Sequence, residues 1–355
     1  MFEELLSDEF RRRMVDDAGR GWVYSWHCMD HIYQGANPRR KDIGYGNVFR
    51  YYRAVLDETG SKQDELNWHF HAVSLTGNPL HNWTSYTNSY PVLNEILCRR
   101  ILEDRWFPVV NRPGFHTERP DSHAFLEQWI PFDYANQSYE EKEDQPDSSQ
   151  GRFGDWRRAP RSWRGYNPSH DDYQESGSCR RTIFRCLNMG TRLRTLRLNH
   201  LRQAFAEARE RGAAILAFSD HDFRDIRPDV NAVRAMIATV RPEFPDVALR
   251  FVGAEAAARA LLDVEAEPGP ELSLTLVDNR LVVRLERGQI FGPQPFLALK
   301  GREGRVFHDN LDVQEPGRLW TYTLDDQILP LQMMAGAGVG TAGRYGGFHV
   351  ACLDF

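Results

Sequence analysis

Residues 22 to about 252 alternate short β-like runs with stretches of helical period, and this pattern constrains the fold most. GWVYSWHC (21–28) reads as a strand, and NVFRYYRAVLDETG (47–60) as a helix capped by Asn47. ELNWHFHAV (65–73) is a second strand, and YPVLNEILCRRILEDR (90–105) is a helix with Pro91 near its start. FPVVN (107–111) is a third strand, ERPDSHAFLEQ a short helix, and IPFDYA the next strand end. TLRLNHLRQAFAEARERG is a strongly amphipathic helix ending at Gly212. AAILAFSDHD is the most strand-like run in the chain; the helix VNAVRAMIATV and the strand VALRFV follow it. Such alternation predicts an α/β fold with a parallel sheet, either a barrel or doubly wound. No GxGxxG follows an early strand, which favours the barrel, with its chemistry at the C-terminal strand ends.

Two regions depart from this pattern. An insertion at about 137–180 is first acidic (SYEEKEDQPD) and then rich in Arg and Trp, and its Trp156, Trp163, Tyr166 and Tyr173 predict packing near the site rather than disorder. From about 266 to the C-terminus the pattern turns to short alternating strands, with a hairpin turn at Asp278-Asn279. A small antiparallel β module is expected there, beside an α/β barrel over 1–265. The net charge of -6 argues against a nucleic-acid or anionic-membrane binder, and no run approaches the roughly 20 apolar residues that span a bilayer. The charged N-terminus lacks a signal-type apolar stretch, and five scattered cysteines form no CxxC. A cytoplasmic protein with reduced thiols is expected, and a homo-oligomer is compatible with it.

Three strand ends carry residues suited to chemistry. On a strand, the period of two puts Asn67, His69 and His71 on one face, where two imidazoles can share one metal; the alternative is one ligand beside a structural histidine. Asp30 and His31 end the first strand as a base with a ligand, or as a ligand with its orienting partner, whereas His27 reads as a core histidine. His221 with Asp222 follows the apolar run at 213–219, and a carboxylate-held histidine suits a general acid. Arg112 and Gly114 follow the third strand, and Asp133 falls at the next strand end, near Trp129. Arg157, Arg158, Arg161, Arg164, Arg180, Arg181 and Arg185 either meet an anionic or ring-bearing substrate or form an ion-paired, solvated loop.

In order, these elements resemble the five motifs of the NodB-type polysaccharide deacetylases, over about residues 22–222. Asp30-His31 is similar to the first motif, His69 with His71 to the second, and Arg112-Pro113-Gly114-Phe115 to the third. Asp133 is similar to the fourth, and 216–222 to the fifth. The family's first motif has paired aspartates where only Asp30 is acidic here, and its second spaces the histidines four apart, which would fall on Val73. The resemblance implies a NodB-type (β/α) barrel and a divalent metal, zinc first, on His31, His69 and His71. It implies hydrolysis of an N-acyl (acetyl) amide of a sugar or small amine. Asp30 would be the base, His221 the acid, and Arg112 the residue that steadies Asp30. Trp129, Asp133, Phe115, Asp222 and Arg181 would line the substrate. If Asp30 is instead a ligand, the base is missing. The competing readings are a non-catalytic barrel binding a glycan or nucleotide-sugar, and a metallohydrolase of another C–N bond.

Overall fold

The computed structural model describes residues 1–31, 45–72, 75, 85–139, 153–191 and 193–355. Six parallel strands form one sheet: β1 (Ser25–His31), β2 (Glu65–Phe70), β3 (Val110–Asn111), β4 (Phe132–Asn136), β5 (Thr182–Asn188) and β6 (Ala217–Ser219). Spatial order follows chain order, β1-β2-β3-β4-β5-β6, with no reversal. A doubly wound sheet reverses at a switch point, so this one is singly wound and curled. Trp22, ahead of β1, meets Phe218 of β6 with ring centroids 6.0 Å apart, and Phe251 packs on Trp22 at 5.0 Å. The first and last strands thus approach through side chains.

Helices α1 (Phe2–Leu6) and α2 (Asp8–Arg11) precede the sheet, and α3 (Tyr45–Glu58), α4 (Tyr90–Leu102), α5 (Pro120–Trp129) and α6 (Leu198–Arg211) connect its strands. After β6 come α7 (Arg227–Val240) and α8 (Ala254–Leu261). α3 begins two residues before Asn47, so Asn47 lies within the helix rather than capping it. The expected strand at 247–252 does not join the sheet. It is strapped to an N-terminal loop, the Asp17 carboxylate accepting from the Leu249 N–H and Asp16 from that of Phe251. β5 was hidden in the sequence by its polar residues, although all seven are buried. Its Arg185 is accommodated because the guanidinium donates to the Ser138 and Arg161 carbonyls and lies 4.6 Å from the Trp163 ring.

α8 covers the N-terminal edge of the sheet: the Glu65 carboxylate accepts from the Glu255 and Ala256 N–H groups, a favourable place for negative charge.

The chain from 271 onward forms a two-layered β unit. β7 (Glu271–Val277), β8 (Arg280–Arg287), β11 (Asp312–Glu315) and β12 (Leu319–Thr323) make one antiparallel sheet. β9 (Phe296–Gly301), β10 (Val306–Asp309), β13 (Met334–Ala342) and β14 (Phe348–Asp354) make the other. The second sheet lies directly on α4. A Cβ at Gly338 or Gly340 would come within 2.7 Å and 2.9 Å of Ile101, so only glycine lets strand and helix approach so closely. Among the described residues no helix is long and apolar enough to cross a membrane.

Candidate functional site

At the C-terminal edge of β2, His69 and His71 turn towards each other, their Nε2 atoms 3.1 Å apart. His69 is 8% exposed, and its Nδ1–H donates to the Arg112 carbonyl. That bond fixes the tautomer and leaves Nε2 as an acceptor facing His71 Nε2, the usual support of a metal-ligating histidine. Burial, then His71 and Arg112, hold the His69 imidazole well below its ordinary pKa, hence neutral. The His71 ring packs edge-on against Phe115 at 5.0 Å, and a Cβ on Gly114 would lie 2.4 Å from it, so the third-motif glycine makes room for the histidine. Among the described residues no third His, Cys, Asp or Glu donor groups with this pair. His31 ends the neighbouring strand, its backbone in register with Phe70.

Arg112 supplies the charge beside the pair. It is 6% exposed and donates to His116 Nε2 at 2.6 Å and to Ser219 Oγ at 2.8 Å, while no carboxylate pairs with it among the described residues. Phe115 and His116 both adopt left-handed backbone (φ 54° and 48°), a strained arrangement for two consecutive non-glycine residues and one that tends to occur at functional sites. Burial, with Arg112 and Arg194 nearby, holds His116 neutral. The sequence reading missed both His116 and Ser219. His116 could have been suspected from its place two residues past the Pro-Gly pair; Ser219 carries no such signal. His27 lies inside the sheet, its Nδ1 facing the Trp68 carbonyl, and burial lowers it to about 3.

Other expected site residues lie elsewhere. Asp30 points to the helix layer, where the Arg100 guanidinium of α4 grips its carboxylate and also reaches Asp104. Arg100, not Arg112, therefore steadies Asp30. Burial raises the Asp30 carboxyl to about 7, against the pull of Arg100. Asp133 and Arg181, expected to line the substrate, are engaged with each other and with Glu118. Both are buried in a network in which Arg181 bridges Asp133, at 2.9 Å, and Glu118, and Asn111 donates to Asp133 at 2.8 Å. Trp129 packs on Phe296 at the junction with the β unit, 5.3 Å between centroids. His221 is exposed on the turn after β6 and stacks near Phe223; the carboxylate that holds its backbone N–H is that of Asp220, which also binds Arg224. Asp222 lies near enough to β1 for its charge to push up the Cys28 thiol, after burial and Asp30. Of the insertion arginines, Arg157 pairs with Asp155, and Arg158 with Asp172 and Glu175, all at the surface, as the ion-paired reading expects.

A second cluster lies behind the sheet. His123 and Glu127, one turn apart on α5, meet Cys179 on the loop before β5, with their donor atoms within 4.8 Å of one another. These residues could hold a metal ion.

Compared with known protein families, curated proteins and solved structures, the chain matches none.

Proposed function

We propose that this protein is a metal-dependent hydrolase of an amide C–N bond, a divergent relative of the NodB-type deacetylases whose curled sheet serves as their barrel, acting in the cytoplasm on an N-acylated sugar or small amine. One observation carries the reading: two imidazole Nε2 atoms 3.1 Å apart at the C-terminal edge of a parallel sheet, one of them with its tautomer tied to a carbonyl. Two nitrogens on one tetrahedral zinc, each at about 2.0–2.1 Å, lie roughly 3.3 Å apart, so the pair is spaced for a shared ion. His31, on the adjoining strand end, is the third ligand in this reading. Zinc bound there would polarise the acyl oxygen and lower the pKa of water.

Arg112, buried and with no carboxylate partner among the described residues, would face the negative charge that develops on the acyl oxygen. His116, neutral and accepting from Arg112 through Nε2, would hold that guanidinium in place; Asp30, the expected base, is engaged by Arg100. His221 on its exposed turn would protonate the leaving amine. The position of Asp30 also favours a second reading, in which the pocket persists without its base and binds a glycan without cleaving it.

His69→Ala should lose one equivalent of bound zinc and nearly all acetate release across a panel of N-acetyl sugars and amines. Zinc content equal to wild type would sink the assignment. A wild type that binds zinc and releases no acetate from any compound would favour the glycan-binding reading.

A further inference from the structure

The cluster behind the sheet includes a fourth donor. His170, in the loop that covers α5, places Nδ1 3.5 Å from Cys179 Sγ and in contact with the Glu127 carboxylate. His123 Nε2 approaches the same sulfur at 3.9 Å. On a helix, positions i and i+4 lie on one face, so His123 and Glu127 present adjacent donors. Three side chains, His123, Glu127 and Cys179, therefore converge, and exposed His170 reaches Cys179 and Glu127 from the solvent side. Two histidines, a thiolate and a carboxylate make a donor set that zinc accepts, and the closed four-protein-ligand arrangement is that of structural sites.

We infer that His123, Glu127, His170 and Cys179 form a structural zinc site that staples the segment 153–180 to α5, separate from the His69–His71 pair. At this end the segment is also held by the Ser169 carbonyl on His123 and by Asn167, which donates to the Arg181 carbonyl. Further along, Trp156 donates to the His116 carbonyl at 2.9 Å, Tyr166 bridges to Ile183, and Trp163 is buried in the core. Without metal, His123 is satisfied differently, with Arg181 donating to Nδ1 at 2.6 Å and Nε2–H bonded to the Ser169 carbonyl at 2.7 Å. Ligation through Nε2 breaks the Ser169 bond and moves the ring proton to Nδ1, which requires the Arg181 guanidinium to leave Nδ1 and stay on Glu118. The Glu118 carboxylate, 3.9 Å from Nδ1, then closes on that N–H to give the carboxylate–histidine–metal arrangement that orients many ligands. The Cys179 thiol releases its proton to solvent as the sulfur–metal bond forms. Fastening the segment would fix Trp156 against the carbonyl of His116, one of the two strained residues beside Arg112.

Zinc analysis and cobalt substitution of the full chain test this. Cys179→Ser and His123→Ala should each lose one equivalent of zinc, whereas His69→Ala keeps this equivalent and loses the other. Cobalt-loaded wild type and His69→Ala should show thiolate-to-cobalt absorption in the near ultraviolet, and Cys179→Ser should not. Chelation should speed tryptic cleavage at Arg157 and Arg158 by about tenfold, as local opening becomes easier. A folded wild type without the thiolate band, or Cys179→Ser with full zinc, overturns the site. If Cys179→Ser does not fold, Glu127→Gln replaces it: zinc affinity should fall by about tenfold or more, the loss typical when a metal-site partner is altered, and unchanged affinity overturns the site.

Discussion

The C-terminal β unit closes its core with Leu281, Val283, Leu297, Leu299, Trp320 and Val339, all fully buried and all apolar. The layer between the parallel sheet and its helices buries comparable side chains, but threads among them Arg100, Arg181, Asp30, Glu118 and Asp133. Burying a charge costs several kcal/mol unless its partners are in place, so an apolar core is the simpler way to stability. The charged layer lies next to the two histidine clusters: Arg100 grips Asp30 at the end of β1, and Arg181 reaches from Asp133 to His123. The polar core positions groups for a site, and the apolar one is scaffold, held to the rest through α4.

The largest effect expected from breaking this contrast is at Arg181. Arg181→Met leaves Glu118 and Asp133 buried without a counter-charge, and denaturant unfolding should show a loss of about 3–5 kcal/mol. Adding Glu118→Gln and Asp133→Asn should restore much of it. If the triple variant is no better than Arg181→Met, the loss is one of packing and the contrast fails. In the apolar core, Leu281→Ala removes a fully buried side chain between the sheets and should cost about 2–5 kcal/mol, alike at pH 5 and pH 7.

The smallest effect sharpens the comparison by pH. His200, near the start of α6, accepts the Arg197 N–H at 3.1 Å; burial, then Arg185 and Arg197, lowers it to about 4. The folded imidazole stays neutral where the unfolded one already binds a proton. Its contribution is therefore complete above about pH 6.5 and is lost as pH falls towards 4, at about 1.4 kcal/mol per unit separating the two values. His200→Gln keeps an acceptor for the cap and should flatten this acid-side loss. Equal slopes for variant and wild type between pH 7 and 5 would remove His200 as its source.

The histidine pair was legible because a strand's period of two is a local rule: ELNWHFHAV needs no other segment to place His69 and His71 together. The hairpin turn at Asp278-Asn279 was equally legible, and Asp278 does adopt the left-handed backbone (φ 55°) such a turn requires. β5 was not, because a strand carrying Arg185 and Asn188 is recognisable only once Trp163 and the Ser138 carbonyl stand beside it. The partner of Asp30 was assigned to the nearest motif arginine, yet α4 brings Arg100 from 70 residues away in the chain. Likewise, nothing in sequence links His123 to Cys179, 56 residues on. The sequence by itself determined the strands and helices with clear periodicity and which strand face bears the histidines, because those follow from side-chain spacing within a segment; β5 and the expected strand at 247–252 lay beyond that rule. Which charges meet, which carboxylate is withdrawn from the site, and which donors converge behind the sheet were decided only by the tertiary structure, because electrostatic pairing depends on distance through space and the chain order does not encode it.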